Sequence, residues 1–141
     1  VDQRLIEEIK NVFSLLFSKL NNKDIKVSWT HGDFQQANIL IANGISKVID
    51  WEASEKRFFM YDAFILFGKV RQGEGLSNAI WNFKEAMGAI DYIEKVDKNT
   101  ITLLLIEELR FNVNEMFSVN FFESGIQTES LCNAITTYID E

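Results

Sequence analysis

Trp29-Thr30-His31-Gly32-Asp33-Phe34-Gln35-Gln36-Ala37-Asn38-Ile39-Leu40 sets an acid, Asp33, and an amide, Asn38, with four residues between them. Twelve residues past Asn38 the apolar pair Val48-Ile49 ends in Asp50, with Trp51 and Glu52 following. Two carboxylates and an amide in this pattern suit the handling of a phosphoryl group. That chemistry is mostly positioning and charge neutralisation, so one carboxylate should orient and deprotonate an acceptor hydroxyl while other oxygens hold magnesium. Asp33 suits the first task. Asn38, a neutral oxygen ligand, and Asp50, on the other arm of a short hairpin, suit the second, because magnesium prefers carboxylate, carbonyl, water and phosphate oxygens.

Each residue taken alone has a plainer reading. A histidine beside a glycine ordinarily packs or hydrogen-bonds within a turn, and holding the loop is the task expected of His31. Asp33 alone could be a turn residue and Asn38 alone a cap, since both types bond to local backbone. Trp51 and Glu52, just beyond a strand, suit packing and solvation, with Glu52 kept as a secondary site candidate. The joint spacing of Asp33, Asn38 and Asp50 decides for chemistry.

These residues resemble the catalytic loop H-x-D-x-x-x-x-N of kinases and the metal-binding Asp that follows it. More closely, His31 to Asn38 and Ile49-Asp50-Trp51-Glu52 resemble the aminoglycoside phosphotransferase and choline kinase group, whose hallmark is H-G-D-x-x-x-x-N followed by I-D-[WF]-E. The resemblance implies that Asp33 is the catalytic base, that Asn38 and Asp50 are metal ligands, and that His31, Gly32 and Asp62 organise the loop. It implies Mg2+ as cofactor, ATP as co-substrate and a small-molecule hydroxyl as acceptor, of the amino-sugar, amino-alcohol or sugar type. Around Asp62 the chain departs from the group, which has a Gly-Asp-Pro element before Asp-Leu-Ala; here stands Arg57-Phe58-Phe59-Met60-Tyr61-Asp62-Ala63, and the sequence has no proline. Gly32 favours small-molecule over protein kinases, which usually place there an Arg that receives an activation-loop phosphate.

Composition narrows the partners. A chain of 141 residues, 47% hydrophobic and 13% aromatic, can build a real core. Its net charge of −7 disfavours nucleic acid and anionic membrane. The single cysteine, Cys132, excludes an intrachain disulfide and suits the cytoplasm, while the single histidine leaves no zinc-type cluster. There is no signal-peptide pattern and no run long enough to span a bilayer.

Around the motif, Leu5, Ile6, Ile9, Val12, Phe13, Leu16 and Leu20 recur at helical spacing, and Asn21-Asn22-Lys23-Asp24 ends that helix. Ile25 to Trp29 reads as a strand feeding the loop, and Asn38–Ile41 and Ser46–Ile49 flank the hairpin dipeptide Asn43-Gly44. Helices are expected near 61–71, 76–93, 98–119 and 127–140, broken at Gly73-Glu74-Gly75 and around Ser124-Gly125. In the third, Leu105, Leu109, Val113, Met116 and Phe117 should be buried and Glu107, Glu108, Arg110 and Glu115 polar-facing. Gly68 to Gly75 lacks Walker spacing and should be an interhelical turn.

The fold expected is therefore α+β, mostly α: the C-terminal lobe of a protein-kinase-like fold, with a small β-hairpin carrying the catalytic and metal loops. Residues 1–141 read as one domain, with the N-terminal nucleotide-binding lobe absent. Such a lobe should be inactive alone and self-associate through the apolar surface left by its partner lobe. Glu107, Glu115, Trp81 and Phe121 are aromatic or acidic residues able to meet an amino-sugar or ammonium acceptor, though surface and core roles are the better account of them. The rival readings are a non-catalytic kinase-like module that binds another protein and a magnesium-dependent phosphohydrolase using Asp33 and Asp50.

Overall fold

The computed structural model describes residues 2–21, 24–90, 96–118 and 121–141, the side chains of 121 and 122 excepted. The expected helix ends at 93 and 119, the stop at Asn22-Lys23 and the Phe121 side chain lie outside the described residues. In chain order the elements are α1 (Gln3–Ser18), β1 (Val27–Thr30), β2 (Ile39–Ala42), β3 (Ile45–Val48), β4 (Glu55–Phe58), α2 (Tyr61–Phe67), α3 (Leu76–Ala89), α4 (Lys98–Ser118) and α5 (Phe121–Asp140). Short 3₁₀ turns occupy Gln36–Asn38 and Val70–Gln72. The architecture is mostly helical α+β with two small antiparallel sheets. The chain divides into two compact units, residues 1–23 with 96–141 and residues 24–95.

The first unit is helical. The Asp2 side chain caps α1 by accepting from the Arg4 amide at 2.9 Å, and Leu5, Ile9, Val12 and Leu16 form its buried stripe. Asp97 caps α4 in the same way, accepting from the Thr100 amide at 2.8 Å. Residues 100 to 106 of α4 are all buried, so this segment is packed around most of its circumference. Glu108, expected on the polar face, is only 3% exposed because it sits one turn beyond Leu104. Phe117, expected in the core, is 60% exposed; the buried line runs through Met116 instead. Against expectation α5 starts before Ser124-Gly125 and runs through it. A Cβ on Gly125 would lie 3.9 Å from Leu5 and from Met116, so this buried glycine belongs to packing and is no helix stop.

The second unit carries both sheets. β2 and β3 pair from Ile39 with Val48 to Ala42 with Ile45, and Asn43 and Gly44 close the hairpin at φ 53° and 75°. Positive φ at both central residues is what a two-residue hairpin turn requires, and Asn-Gly supplies it. The sequence pattern does not reveal β4, which pairs with β1 from Val27 with Phe58 to Thr30 with Glu55. In the same unit, α2 and α3 pack through Phe64 and Phe83, whose rings meet edge to face at 5.6 Å. Gly68 ends α2 where any Cβ would stand 2.5 Å from the Phe64 carbonyl oxygen and 3.0 Å from that of Ala79. Residues 68–75 form the expected interhelical turn.

Candidate active site

Strand β1 delivers Thr30, buried at its end, to the start of the motif loop. The Thr30 hydroxyl donates to the Glu55 carbonyl at 2.8 Å and accepts from Arg57 Nη1 at 2.9 Å, tying the loop's entry to β4. Gly32 follows at φ 91°, and a Cβ there would lie 2.5 Å from both the Ala53 carbonyl oxygen and the Arg57 guanidinium. Only glycine combines that backbone with that space.

The carboxylate of Asp62, in the first turn of α2, accepts from two consecutive loop amides: His31 N–H at 2.7 Å and Gly32 N–H at 3.0 Å. Such charge-assisted bonds are among the stronger polar contacts a fold can make. The His31 ring is buried and bonded at both nitrogens. Asp33 N–H donates to Nδ1 at 3.1 Å, which leaves the proton on Nε2 to donate to the Ile49 carbonyl at 2.8 Å. His31 therefore ties the motif loop to the segment that ends in Asp50. Trp51 packs its ring edge-on at 4.7 Å from that of His31.

Asp33 is part-buried among donors. Gln35 Nε2 lies 3.1 Å from each carboxylate oxygen, Arg71 Nε 3.0 Å from Oδ1, and Asn38 Nδ2 3.3 Å from Oδ2. Asn38 Nδ2 also donates to the Asp33 carbonyl at 2.9 Å. Both contacts use the amide nitrogen, so the amide oxygen is the atom of Asn38 left to meet a cation. The Ile49 amide, just past the end of β3, donates to the Asn38 carbonyl at 2.9 Å, and Asp50 follows one residue later. Asp50 is exposed and adopts φ 62°, a left-handed backbone that aspartate tolerates better than most residues. Among the described residues no cluster of three His, Cys, Asp or Glu is gathered for a metal. One carboxylate and one amide oxygen still suit magnesium, which keeps waters and takes phosphate oxygens as its remaining ligands.

The structure thus brings together Asp33, Asn38, His31, Gly32 and Asp62, with Asp50 at the adjoining strand end. It leaves Glu52 in an exposed turn apart from this network. Gln35 and Arg71 carry no spacing signature and escape a reading of the sequence; Arg71 is far from Asp33 along the chain. Trp81 and Glu115 are exposed, and Glu107 pairs with Arg110 at 3.1 Å.

A family model described as the phosphotransferase enzyme family matches residues 1–91, which include this whole site. The chain belongs to the phosphotransferase enzyme family. Comparison with curated proteins and with solved structures gives no match. No described helix is long and apolar enough to cross a membrane.

Proposed function

We propose that this chain is the catalytic, C-terminal lobe of a small-molecule kinase that transfers the γ-phosphoryl group of ATP to a hydroxyl of an amino-sugar, amino-alcohol or sugar. The observation that carries this reading is the Asp33–Asn38 contact together with the hydrogen bond from the Ile49 amide to the Asn38 carbonyl, one residue before Asp50. Asp33 orients the acceptor hydroxyl and takes its proton as the oxygen attacks phosphorus. The Asn38 amide oxygen and Asp50 carboxylate would hold Mg2+, which when bound would neutralise charge on the phosphates. Asp62 and His31 keep the loop in the geometry that this demands, and Gly32 lets it pass close to Ala53 and Arg57. The exposed side chains of Val27, Trp29, Leu40, Ile41 and Ile45 support a surface that meets a nucleotide-binding lobe and that drives self-association when bare.

The test is made on the full-length protein with MgATP and a panel of hydroxylated acceptors. Asp33→Asn should bind nucleotide yet turn over at least about a hundredfold more slowly, and Asp50→Ala should abolish turnover. Manganese should broaden the NMR signals of Asn38 and Asp50. Wild-type turnover in Asp33→Asn, or broadening that bypasses those residues, sinks the assignment. A protein-binding module would show no transfer at all, and a phosphohydrolase would release phosphate without an acceptor.

A further inference from the structure

Arg71 lies on the 3₁₀ turn between α2 and α3, bracketed by Lys69 at φ 53° and Gly73 at φ 74°. Two left-handed residues around one turn fix where its side chain departs. From there Arg71 Nε donates to Asp33 Oδ1 at 3.0 Å while Nη2 donates to the Tyr61 hydroxyl at 3.2 Å. Both ends of this fork are firmly set. Tyr61 is fully buried and its ring is covered by the Arg57 guanidinium at 5.3 Å, and the side chains of Arg71 and Asp33 are 16% and 22% exposed.

We propose that Arg71, anchored by Tyr61, is the positioning residue of Asp33; the proposal rests on the reading of Asp33 as the base. A carboxylate turns readily about its last torsion, so the angle at which it meets a hydroxyl must be set from outside. Asp62 holds the loop's backbone and leaves the Asp33 side chain to other contacts. Arg71 supplies a planar, permanently charged fork with one prong on Oδ1 and another on a buried hydroxyl, whereas a lysine would offer one flexible point charge unable to serve both. Gln35 touches both carboxylate oxygens and Asn38 touches Oδ2, and among these neighbours Arg71 is the one that brings a full positive charge, on Oδ1, to hold the plane of the carboxylate.

Kinetics of the full-length protein with MgATP and hydroxylated acceptors test this. Arg71→Ala should lower kcat about tenfold to a hundredfold with both KM values within about twofold of wild type. Guanidinium ion should restore part of the Arg71→Ala rate and none of the Asp33→Asn rate. Arg71→Lys should stay several-fold slow, and Tyr61→Phe, which removes only the anchoring oxygen, should cost about threefold in kcat. A raised KM for ATP at unchanged kcat would make Arg71 a phosphate contact and overturn the proposal. So would unfolding of both Arg71 variants together with wild-type turnover in Tyr61→Phe, which would mark a purely structural role. Full activity in Asp33→Asn defeats the proposed function itself; an inactive Asp33→Asn beside a fully active Arg71→Ala defeats this inference alone.

Discussion

Between Thr30 and Asp62 the motif loop is ordered by directional polar contacts, in which Asp62 grips two amides, His31 is bonded at both ring nitrogens and Asp33 is surrounded by Gln35, Asn38 and Arg71. Among the described residues of α4 and α5 the chain is ordered by burial, with Leu104, Leu109, Cys132 and Ile135 wholly inside. The two schemes deliver different goods. Apolar burial is strong but non-directional and tolerates small shifts, whereas hydrogen bonds weaken steeply with angle and so fix individual atoms. Polar fastening is found where the placement of single oxygens matters.

Variants can break or sharpen that contrast. The largest effect is expected from Leu104→Ala, which should cost about 2–5 kcal/mol of unfolding free energy in urea melts; a loss below about 1 kcal/mol would refute apolar burial as the ordering force of α4. Gly32→Ala should come next, at about 2–4 kcal/mol, from the left-handed backbone and the clash with the Ala53 carbonyl, and it should perturb the circular dichroism of the buried aromatic residues. A neutral result there would show that the loop has room to move. Asp62→Asn keeps the shape but removes the charge and one acceptor, so about 1.5–3 kcal/mol should be lost. Its signature is local, with faster hydrogen exchange at the amides of His31 and Gly32.

The smallest effect at accessible pH concerns Cys132. Burial, reinforced by Glu8 and Glu129, pushes its thiol up from the usual 9.0 to about 12. The folded chain holds this proton more tightly than the unfolded chain does. Its contribution is therefore complete below pH 9.0 and is lost toward about 12, at about 1.4 kcal/mol per pH unit. Urea melts on either side of pH 9.0 should show this slope, and Cys132→Ala should flatten it. An equal slope in the variant would assign the alkaline loss to other groups.

Features written in neighbouring residues are legible in the chain itself. The α1 stripe follows from helical period, the hairpin from Asn43-Gly44 supplying two positive φ angles, and Asp33, Asn38 and Asp50 from chemistry that tolerates few side-chain types. Asp62 is reached only through family resemblance, since nothing local marks an acid so far from the amides that it grips. The early start of α5 is hidden because Gly125 reads locally as a stop, and its place against Leu5 and Met116 outweighs that preference.

By itself, then, the sequence determined the mostly helical α+β class, the position of the phosphotransferase motif and the residue types at its centre, because each depends on period, turn chemistry or short spacing. Only the tertiary structure decided the pairing of β4 with β1, the inward turn of Glu108 and the approach of Arg71, bonded to Tyr61, to Asp33. Those contacts join residues distant along the chain, and the energy that selects them exists only once burial and backbone pairing have brought the partners within hydrogen-bonding distance.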